Sequence, residues 1–318
     1  MAVYTDISDE ELDAFLSAYD LGAPTAFKGV AEGVSNSNFM LETEKGRYFL
    51  TVYEAATPAK DLPFFLGLLT WLCDHGFPSA APVPTRGGEV LQTLRGKLAA
   101  IVSFLPGLSV RRPGLDHCRE AGEGMAWLHT AGAGFAGRRE NGLGQSAWAT
   151  LFAPLHGAAD GLKPGLAGVI SRDLAEIAAD WPLHLPRGVI HADFFPDNVF
   201  FAVGKFAGAI DFYYACEDFL AYDVAVALNA WCFEPDGSFN VTKAGAFLAG
   251  YRRRRALSEA EQAALPVLAR GAAMRFFLTR LRDWGATPAG ALVKPHDPLE
   301  YERKLAVHRG GLGLWGSA

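Results

Sequence analysis

Residues 188–212 read GVIHADFFPDNVFFAVGKFAGAIDF, and the fold is decided there. An apolar lead-in, Val189 and Ile190, runs into His191-Ala192-Asp193, and Asn198 follows five positions after Asp193. Two short β-type runs then flank Gly204 and Lys205, which predicts a hairpin, and Asp211 closes the stretch between Ile210 and Phe212. Phosphoryl transfer needs these parts: a carboxylate beside the acceptor hydroxyl, and hard oxygen ligands that hold Mg²⁺ on nucleotide phosphates. Asp193 is the candidate base. Asn198, with a neutral carbonyl oxygen, and Asp211, with a charged one, are the candidate metal ligands. Five extended residues would carry Asn198 up to about 17 Å from Asp193. The loop must curl instead, and Pro196 with Asp197 supplies the turn chemistry. The plain alternative is a surface loop with ordinary turn residues. The spacing alone would arise by chance in roughly one chain in a hundred of this length, but its coincidence with a lead-in strand, a hairpin and a closing Asp weighs against that.

A chain of 318 residues, 50% of them hydrophobic, buries a large core, and two lobes are expected. The divisions expected are 1–102 for a nucleotide-binding N-lobe, 103–107 for a hinge and 108–318 for a C-lobe. A net charge of −6 and a pI near 5.8 argue against nucleic acid or an anionic membrane as partner. No apolar run approaches a transmembrane span, and the first residues lack the basic and apolar regions of a signal peptide. Cys73, Cys118, Cys216 and Cys232 form no metal-ligand spacing and read as reduced thiols of a cytoplasmic protein. Cys216 lies close to Asp211 in sequence, and a packing role is preferred for it.

Upstream, Ser8 and Glu11 form a capping box, and Leu12, Phe15, Leu16 and Tyr19 recur at helical spacing. Three β-type runs follow between Phe27 and Glu54, joined by Gly-containing turns, and suggest an antiparallel sheet. The first turn, 29–38, is rich in Gly, Ser and Asn, so Ser35, Asn36 and Ser37 are candidates to meet phosphate oxygens. A buried helix is expected from Leu62 to Cys73, then two more strands around 89–94 and 97–103. Backbone groups of Ser103, Phe104 and Leu105, at the hinge, are candidates for the adenine edge.

Beyond the hinge the pattern is helical. A helix spans about 117–131, where His129 reads as a hydrogen-bonded histidine at a helix end in preference to a base. Others occupy 151–181, 241–255, 258–268 and 270–284, the last two kept separate. Asp223 opens an apolar helix that must be buried, so its carboxylate needs donors, and backbone amides of the His191–Asp193 loop suit it. His191 and Asp223 are expected to support the site. The run 252–255 reads as a solvated helix end. Arg275, Arg280 and Arg282 stand among apolar residues, available either to a substrate carboxylate or to structural ion pairs.

Taken together, the chain resembles the aminoglycoside-phosphotransferase and choline-kinase-like group, kinases of protein-kinase architecture. The resemblance extends over essentially the whole chain, and its specific part is His191, Asp193 and Asn198 with Ile210-Asp211-Phe212. It implies an α+β, two-lobed fold: a small lobe with an antiparallel sheet and a larger, mainly helical one. Stretches such as Leu50-Thr51-Val52-Tyr53-Glu54, Asp211-Phe212-Tyr213-Tyr214-Ala215 and Ala221-Tyr222-Asp223 are similar to bacterial homoserine kinases of this fold. That likeness implies Mg²⁺- and ATP-dependent phosphorylation of the side-chain hydroxyl of L-homoserine, a step toward threonine. Three positions depart from the pattern. Thr51 stands where a strand Lys or Arg would hold the phosphates, Gly67 falls where the partner Glu is expected, and Tyr213 replaces the Gly that follows Asp-Phe in protein kinases. Phosphate charge would then rest on Mg²⁺, on the 29–38 turn, or on a cation such as Lys28. The alternatives are another small hydroxyl acceptor (choline, ethanolamine or an aminoglycoside) or a nucleotide-binding pseudokinase. The acidity of Glu217 and Asp218 leaves cationic acceptors open. A protein kinase is disfavoured, with no activation segment evident.

Overall fold

In the computed structural model the described residues are 5–30, 36–54, 57–286 and 295–310. They form two compact units: one of Met1–Gly107, Phe135–Gly137 and Ala207–Tyr213, the other of Leu108–Gly134, Arg138–Phe206 and Tyr214–Ala318.

The smaller unit opens with helix α1 (Asp9–Leu16), whose capping box is formed: Glu11 N–H donates to Ser8 Oγ, and Ser8 N–H to the Glu11 carboxylate. Strands β1 (Pro24–Val30), β2 (Ser37–Thr43), β3 (Gly46–Val52), β4 (Gln92–Leu94) and β5 (Lys97–Ser103) make one antiparallel sheet, ordered β1-β2-β3-β5-β4. Period-two alternation turns Phe39 and Leu41 of β2 inward, where with Leu50, Val52 and Ile101 they meet Leu12, Phe15 and Leu16 of α1. Helix α2 (Leu62–Asp74) buries Leu62, Phe64, Phe65, Leu68 and Leu72, and Phe64 stands edge-on to Phe135.

In the larger unit, α3 (Leu115–Ala131), α4 (Gln145–Phe152), α5 (His156–Leu162) and α6 (Leu166–Asp180) precede β6 (Arg187–Ile190). A two-stranded hairpin follows, β7 (Val199–Ala202) and β8 (Lys205–Ala209). Its turn is Val203-Gly204, both at positive φ (50° and 73°), so Lys205 begins the second strand instead of sitting in the bend. Strand β9 (Cys216–Phe219), to which the sequence reading assigned no element, pairs antiparallel with β6. Helices α7 (Leu220–Trp231), α8 (Val241–Arg252), α9 (Glu259–Ala286) and α10 (Pro298–Arg309) complete the unit. Contrary to expectation α9 does not break near Ala269: it runs on through Pro266 and through Gly271, where a Cβ would fall 2.4 Å from the Trp181 ring, so packing carries the helix past both residues. Helices α3 and α8 touch backbone to backbone: a Cβ on Gly122 would lie 2.0 Å from the Phe247 carbonyl oxygen, and one on Gly250 1.9 Å from that of Arg119. Among the described residues no helix is long and apolar enough to cross a membrane.

Where α10 meets α7 and α9, Asn229 Nδ2 donates to the Ala269 carbonyl at 2.7 Å, which turns its Oδ1 toward His308 Nε2, also 2.7 Å away. His308 is therefore a neutral donor. Burial first, then the charges of Lys304 and Arg270, push its pKa down from 6.5 to about 4. The unfolded chain takes up this proton near pH 6.5 and the folded chain only near 4. The stabilisation is complete above 6.5 and drains as pH falls toward 4, with a slope of about 1.4 kcal/mol per pH unit. Urea midpoints across pH 7 to 4.5 should fall less steeply for His308→Gln than for the parent, and parallel curves would contradict the assignment.

Candidate active site

The loop after β6 is built around a sharp backbone reversal. Ala192 adopts φ 60°, unusual for a residue with a Cβ and costing of order 1–3 kcal/mol unless neighbours enforce it. They do so at both ends of the residue. Asp223, on the first turn of α7, accepts from the N–H groups of His191 and Ala192, each at 2.8 Å, and buried Arg275 donates to the Ala192 carbonyl. Asp223 itself has no exposed surface. Burial would push its carboxyl up, but the His129 bond, the nearby His129 and His191 rings and the backbone donors outweigh this and hold it below the usual carboxylate range. His129 Nε2 lies 3.1 Å from Asp223, with Nδ1 2.7 Å from the Tyr251 hydroxyl. A carboxylate can only accept, so Nε2 carries the proton, and His129 is a satisfied core histidine.

Past the reversal, the chain curls as its length requires. Phe195 N–H donates to the Asp193 carbonyl (2.8 Å) and Asn198 N–H to that of Phe195 (3.0 Å). The Asn198 amide nitrogen then reaches back to Asp193, 2.9 Å from its carbonyl and 3.1 Å from carboxylate Oδ2. Asp193 N–H points at His191 Nδ1 (3.3 Å), and the indole nitrogen of buried Trp231 donates to the Phe194 carbonyl (2.7 Å). With its nitrogen committed to Asp193, Asn198 keeps its amide oxygen as a free hard ligand. Among the described residues no group of three His, Cys, Asp or Glu forms a metal cage. A hard oxygen such as that of the Asn198 amide suits Mg²⁺, which takes one or two protein oxygens and completes its shell from phosphates and water.

In the smaller unit, Asp211 is exposed and also at positive φ, 63°. The segment carrying it lies along residues 77–79: Ala209 N–H donates to the Pro78 carbonyl, and buried Phe212 stands edge-on to Phe77. Gly208 is required there, since at its φ of 145° a Cβ would fall 2.5 Å from the Pro78 oxygen. Tyr213 hydrogen-bonds both Thr51 and Tyr53, and burial followed by the nearby Tyr53 and Asp211 raises its pKa well above the usual value. Thr51 in turn donates to Asn38 Oδ1 at 2.9 Å. The position of the missing strand cation is thus filled by an uncharged hydrogen-bonded row, Asn38–Thr51–Tyr213–Tyr53.

The remaining nucleotide candidates divide. Ser35 lies outside the described residues. Asn36 and Ser37 are buried, and their side chains work inward. Asn36 Oδ1 accepts from Glu54 N–H and the Thr57 hydroxyl, while Ser37 Oγ accepts from Thr5 N–H and donates to Glu54. These bonds brace β2 against the end of β3. Of the hinge residues, Ser103 N–H donates to the Ala81 carbonyl and Phe104 N–H to that of Arg47, so these two backbone donors are committed, whereas Leu105 N–H makes no backbone bond among the described residues.

Sequence reasoning had left Arg275, Arg280 and Arg282 open to a substrate carboxylate or to ion pairs; Arg275 holds the loop after β6 through a backbone carbonyl, that of Ala192. A guanidinium among Met274, Phe277 and Leu278 must find a buried acceptor, which is the signal that could have found this role. Arg280 pairs with Glu300 (2.6 Å) and Arg282 with Asp283 (2.9 Å). The 252–255 run is more than a solvated end: Arg253 and Arg254 pair with Glu123, and Arg255 with buried Glu261. Cys216 sits in the core, its thiol pushed by burial up to about 12.

A supported His-x-Asp loop followed by an Asn, with a second Asp after a hairpin, defines a phosphotransferase. Residues 26–257 match the phosphotransferase enzyme family. The solved structure of amicoumacin kinase hAmiN, in complex with AMP-PNP and Ca²⁺, superposes with a TM-score of 0.70 at 17% identity, covering 97% of this chain and 93% of that one. The α+β fold is protein-kinase-like. Curated homoserine kinases are far nearer in sequence. That of Caulobacter vibrioides is 70% identical over 99% of this chain and 100% of its own length, and that of Phenylobacterium zucineum 69% identical over 100% and 99%. The chain belongs to the homoserine kinase group of the phosphotransferase enzyme family, and it is a kinase.

Proposed function

We propose that this enzyme transfers the γ-phosphoryl group of ATP to the side-chain hydroxyl of L-homoserine, giving O-phospho-L-homoserine and ADP. The observation that carries the reading is the Asn198 amide held on Asp193, which orients one carboxylate oxygen and leaves Asn198 with an oxygen for a metal. The 70% identity to a curated homoserine kinase supports homoserine as the acceptor. In this reading Asp193 accepts the hydroxyl proton as the oxygen attacks the γ-phosphorus in line, and proton transfer contributes about 10²- to 10⁴-fold. Asn198 and Asp211 are the residues that would hold Mg²⁺, whose charge would neutralise the phosphate oxygens when bound. Leu105 N–H would read the adenine edge. Thr51 and Tyr213 carry no charge, so positioning and the metal take the share that a strand Lys supplies elsewhere.

The test is ADP release with L-homoserine, L-serine, choline and an aminoglycoside supplied side by side. Turnover should be confined to homoserine or exceed the others by orders of magnitude. A clear preference for choline or the aminoglycoside would overturn the acceptor, and silence with all four would overturn the reading as a whole.

A further inference from the structure

We propose that a cavity of the larger unit, beside the reacting loop, binds the acceptor's carboxylate through Arg111 and Arg112, with Lys304 at its buried end. This rests on the phosphotransfer reading above and names the part of the acceptor that the enzyme selects. The cavity has a volume of about 340 Å³, and Pro196, Trp231 and Phe233 form its walls. Pro196 is three residues from Asp193 in a chain that turns back on itself, and the indole nitrogen of Trp231 is bonded to the Phe194 carbonyl. The cavity therefore begins within a small molecule's length of the candidate base. In an extended four-carbon hydroxy amino acid the hydroxyl and carboxylate oxygens stand only roughly 5–6 Å apart, by standard bond lengths.

Charge points to an anion. The chain as a whole carries −6, yet Arg111, Arg112, Arg303 and Lys304 all line this cavity. Its two carboxylates are already answered. Glu234 pairs with Lys243 at 2.7 Å, and Glu300 pairs with Arg280 at 2.6 Å and with Lys304 at 3.0 Å. Arg111 and Arg112, in contrast, make no ion pair or hydrogen bond among the described residues, so two guanidinium forks face the cavity uncommitted. Lys304 is 6% exposed and bonds the Asn229 carbonyl (3.0 Å) and Glu300. Its ammonium also stands over the rings of Tyr301 (4.2 Å) and Phe233 (5.2 Å), so it adds positive charge at the buried end of the cavity. A planar carboxylate matches a guanidinium fork with two parallel bonds, and Trp231 and Phe233 suit the methylenes between the two polar ends. A site built this way disfavours an analogue that lacks the charged group, because the guanidinium donors then lose their charge-assisted partner.

The experiment compares L-homoserine with 3-amino-1-propanol, the same molecule without its carboxylate, on the full-length enzyme and on the Arg111→Gln/Arg112→Gln double variant. Both arginines are exposed, so folding is not at stake. Loss of charge-assisted bonds should raise KM for homoserine on the order of 10- to 100-fold. KM for 3-amino-1-propanol and for ATP should stay within about twofold, erasing the parent enzyme's preference for homoserine. Lys304→Met, checked for folding by its thermal midpoint, should act in the same direction. If the double variant keeps the parent's KM for homoserine, or weakens both acceptors alike, the carboxylate site is wrong while the homoserine reading stands. If instead the parent enzyme phosphorylates 3-amino-1-propanol but not homoserine, the homoserine reading falls first, and the cavity proposal with it.

Discussion

Asp193→Ala should lower kcat by at least about a hundredfold, and by as much as about 10⁴-fold, while KM for ATP changes little. The carboxylate is partly exposed and lies on a turn whose backbone bonds run through the Asp193 carbonyl and the Phe195 carbonyl, neither of which the substitution touches. The fold should therefore survive, with an unchanged urea midpoint. Asp193→Asn sharpens the test, because it preserves shape but offers an amide to the Asn198 nitrogen. Asp211→Ala gives a different signature. Activity should be lost and should not return at saturating Mg²⁺, whereas the Asp193 variants should keep the parent's Mg²⁺ dependence on their residual rate. Turnover of Asp193→Ala within tenfold of the parent would remove that residue from the role of base. An unaltered metal dependence in Asp211→Ala would remove Asp211 as a ligand.

What could be read in advance was local. The His191–Asn198 spacing, the hairpin and the closing Asp211 lie within 25 residues of one another, and short-range geometry leaves few ways to arrange them. The β-sheet of the smaller unit was legible for the same reason, since short β-type runs, the alternation of β2 among them, and the Gly-containing turns each act over a few residues. The capping boxes at Ser8 and Ser258 were equally local. Failures arose where the outcome depended on a register or on a distant partner. Asn36 and Ser37 have the composition of a phosphate turn, but the register of β2 against β3 turns them toward Glu54, and no pattern within the turn reveals that. The strand β9 exists because β6 offers it an edge, and its four residues carry no alternation of their own. Arg275 lies 83 positions from the carbonyl it grips.

The departures at Thr51, Gly67 and Tyr213 become intelligible together. A strand Lys needs a helix carboxylate to hold it, and α2 has Gly67 where that carboxylate is expected, with Phe135 3.8 Å from where a Cβ would be. An ammonium at position 51 would then be an unpaired charge beside the rings of Tyr53 and Tyr213. A hydroxyl at position 51 avoids that cost by joining Asn38 to Tyr213, and Tyr213 follows Asp211 by two residues. The side chain at the position of the protein-kinase glycine thereby ties the Asp211 segment to the sheet.

The second large effect is expected at Asp223, which touches no substrate. Its two oxygens accept from His191 N–H, Ala192 N–H and His129 Nε2, all in a region without exposed surface at Asp223. Asp223→Ala strands all three donors. Each buried, unsatisfied donor costs about 1–3 kcal/mol, and removing one partner of a buried pair typically costs about 3–5 kcal/mol. A loss of roughly 3–5 kcal/mol should appear as a lowered urea midpoint with an unchanged slope. Activity should fall with it, since the positive φ of Ala192 is held by Asp223 from one side and Arg275 from the other, and Asp193 is the next residue. Asp223→Asn should recover little, because an amide presents a second donor to a ring of donors. The pH dependence distinguishes this from plain loss of packing. The carboxyl is held below its usual range, so its stabilisation is complete above that range and is lost as pH falls through the folded-state pKa. The Asp223 variants should accordingly lose less further stability in acid than the parent does. If Asp223→Ala unfolds at the parent's urea concentration, or shows the parent's full acid sensitivity, the carboxylate is not what holds the reacting loop in its strained form.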